Sequence, residues 1–198
     1  GEERANVCLI DYGVVRHVIR ALQERGCKVT VVPAGTSAEE ILALNPNGLV
    51  LSGGPGDPAE NAYQIEQVKA LLGKVPVFGI GLGHQLVALA TGASTYKLPY
   101  GHRGGNQPVR DLKGVRTYIT SQNHGYEVDK DSLPENASLR YINRNDGSCE
   151  GVDYLDMPVF SVQFQPAMTG GIHGGAKIGT HTLFDRFTAL MGGNKECR

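Results

Sequence analysis

The chain has 198 residues, 40% hydrophobic and 20% charged, which suffices for one globular domain with a sizeable core. Its 19 Lys and Arg residues nearly balance 20 Asp and Glu residues, and the formal net charge of −1 gives no overall field to attract nucleic acid or an anionic membrane. No apolar run approaches the roughly 20 residues that span a bilayer, and the polar start Gly1–Asn6 does not resemble a secretory signal. We therefore expect a cytosolic protein with a small neutral ligand or a protein partner.

The first half of the chain alternates short apolar runs with helical patterns. Strands are predicted at Val7–Asp11, Lys28–Pro33, Gly48–Ser52 and Pro76–Ile80. Helices are predicted at Val14–Arg25, Ser37–Leu44, Glu60–Leu72 and Gly83–Ala90. Repeated βα units of this kind indicate an α/β fold with an open, mostly parallel twisted sheet that helices cover on both faces.

The second half is richer in strand patterns, and Gly, Asn, Asp and Pro separate them. Strands are predicted at Val115–Ser121, Ser138–Ile142 and Val159–Phe164. An amphipathic helix is predicted at Leu183–Met191, ending before the glycine pair at 192–193. Part of this half is expected to be antiparallel. Ligands of open parallel sheets bind beyond the carboxyl ends of the strands, so the loops after Ser52 and Ile80 are the first places to look for chemistry.

The four cysteines show no CxxC spacing, which argues against a zinc ribbon, a thioredoxin motif or a disulfide framework. They are Cys8, Cys27, Cys149 and Cys197. Cys8 lies in an apolar run and Cys197 near the C-terminus, so neither has the electropositive surroundings that activate a thiolate. We predict buried or surface thiols rather than a nucleophile.

The loop after Ser52 contains three glycines within Leu51–Pro58, namely Gly53, Gly54 and Gly56. Glycine permits positive φ and close backbone approach, and exposed N–H groups in such a loop can hold an oxyanion. A tight strand-to-helix connection without a ligand explains the same residues, and the loop by itself favours that simpler interpretation.

The loop after Ile80 runs through Gly79, Gly81 and Gly83 into a helix, the pattern of a nucleophile elbow. Its sequence resembles the elbow of class I glutamine amidotransferases, which reads Gly-Ile-Cys-Leu-Gly-His-Gln. The resemblance fails at one position, because Gly81 stands where that family has its nucleophilic cysteine. A glycine has no side chain to attack an amide carbonyl.

Two further segments, Gly101–Pro108 and Ser121–Tyr126, are similar to the carbamoyl phosphate synthetase small-subunit branch of that family. The resemblance covers almost the whole chain. It implies that Gly54 and Gly56 border the oxyanion site. It also implies that glutamine would contact Leu82, Gln85, Asn123, Gly125 and Tyr126. Preservation of turns and packing is an equally good explanation for these residues.

The family's third signature, His-Pro-Glu after the last strand of the parallel sheet, supplies a base and the carboxylate that orients it. This chain has Gln165-Pro166-Ala167 instead. A glutamine amide cannot take a proton at neutral pH, and alanine cannot orient an imidazole. The nucleophile, base and acid positions, Gly81, Gln165 and Ala167, have therefore all lost their chemistry.

The histidines offer no clear replacement. His84 lies three residues after Gly81 on the same helical face, but the family has a histidine there too, which favours a structural role. His124 is expected to be a hydrogen-bonding residue in a turn. His173 and His181 lie eight residues apart in the glycine-rich stretch Met168–His181, where no Cys, Asp or Glu separates them to complete a ligand set. We predict a mobile loop there, no metal site and no cofactor.

The leading hypothesis is an inactive or severely impaired amidotransferase domain that serves as a structural or regulatory partner of a synthetase large subunit or domain. A glutamine-binding or metabolite-sensing module without catalysis is the second hypothesis. New chemistry in the old pocket ranks last, because no nucleophile and base pair is evident. The resemblance also implies that the N-terminal domain usual in such small subunits is absent, so that residues 1–198 form a single amidotransferase-like domain.

Overall fold

The first half of the chain builds the parallel part of one β-sheet. Its elements are β1 (Asn6–Asp11), α1 (Arg16–Gln23), β2 (Lys28–Pro33), α2 (Ala38–Ala43), β3 (Gly48–Leu51), α3 (Ala62–Leu71), β4 (Val77–Ile80) and α4 (Leu82–Ala90). The structure, a computed structural model, describes residues 5–168, 172–173, 176–177 and 179–192. β1 pairs in parallel with β2 and β3, and β3 pairs in parallel with β4.

The second half extends the same sheet with antiparallel strands. Its elements are β5 (Thr95–Asp111), β6 (Thr117–Val128), β7 (Ala137–Asn143), β8 (Cys149–Tyr154), β9 (Val159–Val162), β10 (Ile172–His173), β11 (Ala176–Lys177) and α5 (Thr182–Leu190). The nine-stranded sheet has the order β2-β1-β3-β4-β9-β8-β7-β5-β6, while β10 and β11 form a separate two-stranded pair. β9 is parallel to β4 and antiparallel to β8. This mixed sheet confirms the predicted fold class.

Alternating apolar residues along the parallel strands give the sheet two buried faces. On β3, Leu49 and Leu51 belong to one hydrophobic cluster, which also holds residues of α2, α3 and α4, whereas Val50 belongs to the other. The second cluster contains Phe78 of β4, which stacks on Phe160 of β9 with ring centroids 4.5 Å apart. Residues of α1 and α5 cover that face. No described helix is long and apolar enough to cross a membrane.

Two strands of the second half were not predicted. β5 contains three glycines and two prolines, residue types that are depleted in strands, and β8 carries Glu150 and Asp153 although all six of its residues are buried. The predicted strand Val115–Ser121 begins at Thr117 instead, because the fully exposed Val115 lies between β5 and β6. The other predicted elements differ from the observed bounds by at most two residues at either end.

Helix α4 lies unusually close to the sheet. A Cβ on Gly83 would collide with the Leu51 carbonyl oxygen, and a Cβ on Gly79 would lie 2.9 Å from the Gly83 carbonyl oxygen. Both glycines are needed because only a backbone without Cβ permits this approach. The N–H of Gly83 also donates to the Ser52 carbonyl at 3.1 Å. The start of α4 is therefore locked against the end of β3.

This packing buries His84 completely. Its Nδ1 lies 2.8 Å from the Ser161 hydroxyl of β9, and its Nε2 is buried without a hydrogen-bond partner among the described residues. Burial, helped by His124, lowers the pKa of His84 to about 3. The imidazole is thus neutral in the folded protein at physiological pH, as a structural core residue should be.

This burial predicts that acid weakens the fold. Between pH 6.5 and about 3 the unfolded chain binds a proton at His84 that the folded chain does not, so stability falls as pH falls. Lowering the pH from 7 to 5 should reduce the free energy of unfolding by about 2 kcal/mol through this group. Denaturant titrations at both pH values should show that much less loss in His84→Asn. A matched control is His17→Asn, at an exposed position on α1. Equal pH dependence in all three proteins would contradict the prediction.

Candidate functional site

A cavity of about 790 Å³ opens at the carboxyl ends of the parallel strands. Its walls come from the loops after β1, β3, β4 and β9 on one side and from β5 and β6 on the other. The order β2-β1-β3 reverses the direction of winding between β1 and β3, and such switch points are where open α/β sheets bind ligands. The cavity is therefore the candidate functional site.

Gly81 occupies the sharp turn between β4 and α4. It has φ 57° and ψ −113°, its N–H donates to the Val162 carbonyl at 2.9 Å, and its carbonyl accepts from the Gln85 N–H at 3.2 Å. A Cβ at this position would lie 3.3 Å from the Gly53 Cα and 3.9 Å from the Gln165 Nε2. The elbow shape that presents a nucleophile is present, but the position carries no side chain.

The two other predicted triad positions are placed differently from each other. Gln165 lines the cavity with its carboxamide beside Gly81, and its backbone N–H donates to the Ser121 carbonyl at 3.0 Å. Ala167 is half-buried and packs against the hydrophobic cluster that contains Phe164. The nucleophile and base positions are thus adjacent in space, while the described cavity wall does not include Ala167.

The glycine-rich loop after β3 borders the cavity with Gly54 and Gly56. A Cβ on Gly54 would collide with the Tyr12 carbonyl oxygen, so this loop is pressed against the one that follows β1. The Ser52 hydroxyl strengthens the contact by accepting from the Tyr12 N–H at 2.9 Å. Gly56 has φ 101°, a conformation that favours glycine. Both glycines have a structural reason, and an oxyanion role stays a prediction.

Leu82 and Gln85 place the start of α4 in the cavity wall. Gln85 is buried, and its amide nitrogen donates to the Tyr126 carbonyl at 2.7 Å and to Gln163 Oε1 at 2.8 Å. Both amide hydrogens are then committed to the protein, so this side chain joins α4 to β6 and to the end of β9. Only the carboxamide oxygen could accept a hydrogen bond from a ligand.

Asn123, Gly125 and Tyr126 also line the cavity, and all three lie on β6. A hydrogen bond to Asp57, in the loop after β3, raises the pKa of the Tyr126 phenol. This contact joins opposite walls of the cavity. The prediction that His124 lies in a turn is wrong, because β6 is continuous here and His124 pairs with His102 of β5.

Several lining residues were not singled out from the sequence. They include Gly13, Val15, Lys97, Arg103, Ser121, Gln122, Gln163 and Met168. Arg103 stands inside the segment Gly101–Pro108 that carries the resemblance, but its position could be used only once β5 was known to form the wall. Its guanidinium donates to the Tyr100 carbonyl at 2.8 Å. The cations of Lys97 and Arg103 make this wall positive.

A buried polar cluster lies behind the β6 wall. His102 of β5, His124 of β6 and Glu150 of β8 each offer one potential ligand atom, and these atoms lie within 4.8 Å of one another. Burial lowers the pKa of His124 to about 4 and raises the pKa of Glu150 to about 8, the latter against hydrogen bonds from Asn143 and Gln122. Sequence spacing could not reveal this cluster, because three separate strands supply it.

The histidine pair considered from the sequence is not a described site. The side chain of His173 and much of the stretch Met168–His181 lie outside the described residues, so the mobile loop stays a prediction. His181 has Nδ1 3.3 Å from Arg25 Nη2 and lies against the Phe184 ring at a centroid distance of 5.6 Å. This histidine packs against α1 and α5. Of the cysteines, the three described ones are buried and reduced.

Structural comparison places the fold among known amidotransferase structures. A GMP synthase protein from Thermoplasma acidophilum superposes with a TM-score of 0.78 at 22% identity over 96% of both chains. A glutamine amidotransferase from Thermotoga maritima gives a TM-score of 0.67 at 20% identity, over 83% of this chain and 77% of that one. At these identities the likeness establishes the fold alone.

Sequence comparison is more specific. The carbamoyl phosphate synthase small chain of Syntrophotalea carbinolica is 48% identical over 196 residues, which is 99% of this chain and 51% of that protein. The small chain of Fusobacterium nucleatum is 50% identical over 95% of this chain and 51% of its own length. The chain thus spans about half the length of these relatives. The family model "Glutamine amidotransferase class-I" matches residues 8–186, so the chain belongs to the class I glutamine amidotransferase family.

Proposed function

We propose that this chain is a carbamoyl phosphate synthetase small-subunit-like amidotransferase domain that does not hydrolyse glutamine and acts as a structural or regulatory partner of a synthetase. The observation that carries this proposal is the elbow at Gly81. Its backbone has the shape that presents a nucleophile, yet it has no side chain and faces the carboxamide of Gln165. The similarity to small chains of carbamoyl phosphate synthase supports the choice of partner.

Amide hydrolysis by this fold needs three contributions. A thiolate must attack the carbonyl carbon, a base must move protons to the departing ammonia, and donors must stabilise the tetrahedral oxyanion. Gly81 supplies no nucleophile, and the Gln165 amide cannot exchange a proton at neutral pH. The backbone N–H groups of the loop after β3 are the one contribution that the chain could still make.

The nearest alternative groups are poorly placed to substitute. His84 is fully buried beneath the elbow, with Nδ1 beside Ser161. Ser121 brings a hydroxyl to the cavity wall, and His124 lies on the same strand. Both ring nitrogens of His124, however, already lie 2.8 Å from oxygen atoms, one on Tyr126 and one on Gln122. A histidine engaged in this way is not available as a general base for Ser121.

This proposal predicts how activity should respond to rebuilding the triad. The native chain at millimolar glutamine should release no glutamate above background in a coupled glutamate assay. Gly81→Cys alone should stay at least about 100-fold below the triple variant Gly81→Cys, Gln165→His, Ala167→Glu, because general base catalysis contributes about 10²–10⁴-fold. Substantial turnover by the native chain, or equal turnover by the single and triple variants, would overturn the proposal.

The matched control for this series is Gly81→Ala. Any side chain at φ 57° is strained, and such strain costs about 1–3 kcal/mol. The alanine and cysteine variants should therefore lose similar stability in denaturant titrations. Comparing them separates the effect of the thiol from the effect of backbone strain.

The partner role has its own test. The tagged chain should co-elute in size-exclusion chromatography with the large subunit of a carbamoyl phosphate synthetase, for which that of Syntrophotalea carbinolica is a reasonable choice. The whole small chain from the same organism is the positive control. Co-elution of the control but not of this chain would contradict the partner role and would leave the prediction of inactivity standing.

Glutamine binding without catalysis is the second candidate function. The cavity favours it because its wall keeps Asn123 and Tyr126 and carries the carboxamides of Gln85, Gln163 and Gln165. A wall of this kind suits a small ligand that both donates and accepts hydrogen bonds.

Calorimetry with millimolar glutamine tests this second candidate. Binding should weaken about 5-fold to 10-fold in Asn123→Ala, which corresponds to one lost hydrogen bond of about 1 kcal/mol. Asn136→Ala, at an exposed position outside the described cavity wall, should bind like the native protein. Absence of any heat or thermal shift with the native chain would exclude glutamine sensing.

A further inference from the structure

We propose that His102, His124 and Glu150 form a binding site for a divalent transition metal, best matched by zinc, directly behind the wall of the cavity. Their ligand atoms lie within 4.8 Å of one another. The three residues come from β5, β6 and β8, so pairing of these strands assembles the site. Glu150 is completely buried and His102 is 8% exposed. The cluster is thus a built feature of the fold and not a chance meeting of surface side chains.

The outer hydrogen bonds of both imidazoles orient their inner lone pairs toward each other. His102 Nε2 lies 2.8 Å from an Asp146 carboxylate oxygen, and His124 Nδ1 lies 2.8 Å from the Tyr126 carbonyl. Both partners can only accept, so the single N–H of each neutral imidazole must point outward. The remaining lone pairs, on His102 Nδ1 and His124 Nε2, face each other at 3.3 Å. Histidine ligands of metals are held by outer partners of this kind.

Two oxygen atoms complete the convergence. Glu150 Oε1 lies 3.7 Å from His102 Nδ1, and Gln122 Oε1 lies 2.8 Å from His124 Nε2. The Gln122 amide nitrogen donates to Glu150 Oε1 at 2.7 Å and to the Thr120 hydroxyl at 3.0 Å, which turns the Gln122 oxygen toward His124. With both imidazoles neutral, four acceptor atoms meet with no donor hydrogen between the nitrogens. A cation at their centre removes this repulsion.

The spacing suits zinc in particular. Ligands at the usual distance of about 2.0–2.1 Å in a tetrahedral site lie about 3.4 Å apart, close to the 3.3 Å between the two nitrogens and the 3.7 Å between nitrogen and carboxylate. Two imidazoles and a carboxylate favour zinc over magnesium or calcium, which prefer all-oxygen sites. The second oxygen of Glu150 is buried with no hydrogen-bond partner among the described residues, so the carboxylate has unused coordinating capacity.

The position of the site suggests what a metal would do. His124 lies between Asn123 and Gly125 on β6, and all three residues line the cavity. Fixing His124 to β5 and β8 through one ion would hold this wall in place. Gln122 also lines the cavity and could take the fourth position. Such a site would be structural, stabilising the cavity wall and not acting on a substrate.

The experiment uses the untagged protein after removal of metals with a chelator. Titration with Co²⁺ should give the intense visible absorption of a four-coordinate ion at one equivalent, and Zn²⁺ should displace it with a dissociation constant in the micromolar range or below. His102→Gln should weaken binding by at least about 10-fold to 100-fold, the usual range for loss of part of a metal site's support. His17→Gln on the exposed face of α1 should bind like the native protein.

A second readout and a second variant keep the test decisive. Zn²⁺ should raise the thermal midpoint of the native protein but not that of His102→Gln, because a ligand stabilises only the state that binds it. If His102→Gln fails to fold, Glu150→Gln preserves the side-chain shape and should show the same loss of binding. Equal metal binding in native and variant proteins would overturn the proposal. So would a doubly protonated His124 at neutral pH in metal-treated protein, seen by imidazole ¹⁵N NMR, because a proton would then occupy the place of the ion.

Discussion

The close backbone approach of α4 to β3 is the constraint on which the rest of the site depends. Gly83 has no room for a Cβ beside Leu51, and its N–H bonds to the Ser52 carbonyl. This contact sets where the helix begins, and therefore the turn at Gly81. It also sets the direction in which Gln85 reaches toward β6 and the depth at which His84 is buried. One steric requirement thus places the elbow, a cavity wall and a core histidine together.

The same constraint explains how the fold can keep the elbow without its chemistry. The φ of 57° at Gly81 follows from the connection between β4 and α4. A side chain there is strained by about 1–3 kcal/mol, and glycine removes that strain. Loss of a nucleophile at this position therefore carries no structural penalty. Gln165 fits beside it, with its amide against the Gly53 and Gly81 backbones. Activity in such a site would oppose local stability, as is common for strained catalytic positions.

The antiparallel half contributes the other wall and the polar cluster behind it. β5 and β6 form a long pair that carries Arg103 and Asn123 to the cavity, while His102 and His124 reach back to Glu150 on β8. Buried polar side chains in a sheet are stable only if their hydrogen-bonding groups are matched. In this cluster the outer partners are matched and the inner ones converge, and that arrangement motivated the metal proposal.

The sequence by itself determined the parallel half, the elbow and the loss of its nucleophile and base. These are local properties: a period of apolar residues, glycines at a turn, and the chemistry of single positions such as Gly81 and Gln165. Only the tertiary structure decided that the glycine-rich and proline-rich β5 is a strand, because its stability comes from pairing with β6 and not from its own residues. It also decided that Ala167 packs in the core, and that His102, His124 and Glu150 meet. Contacts between residues far apart in the chain depend on strand order and register, which no local pattern encodes.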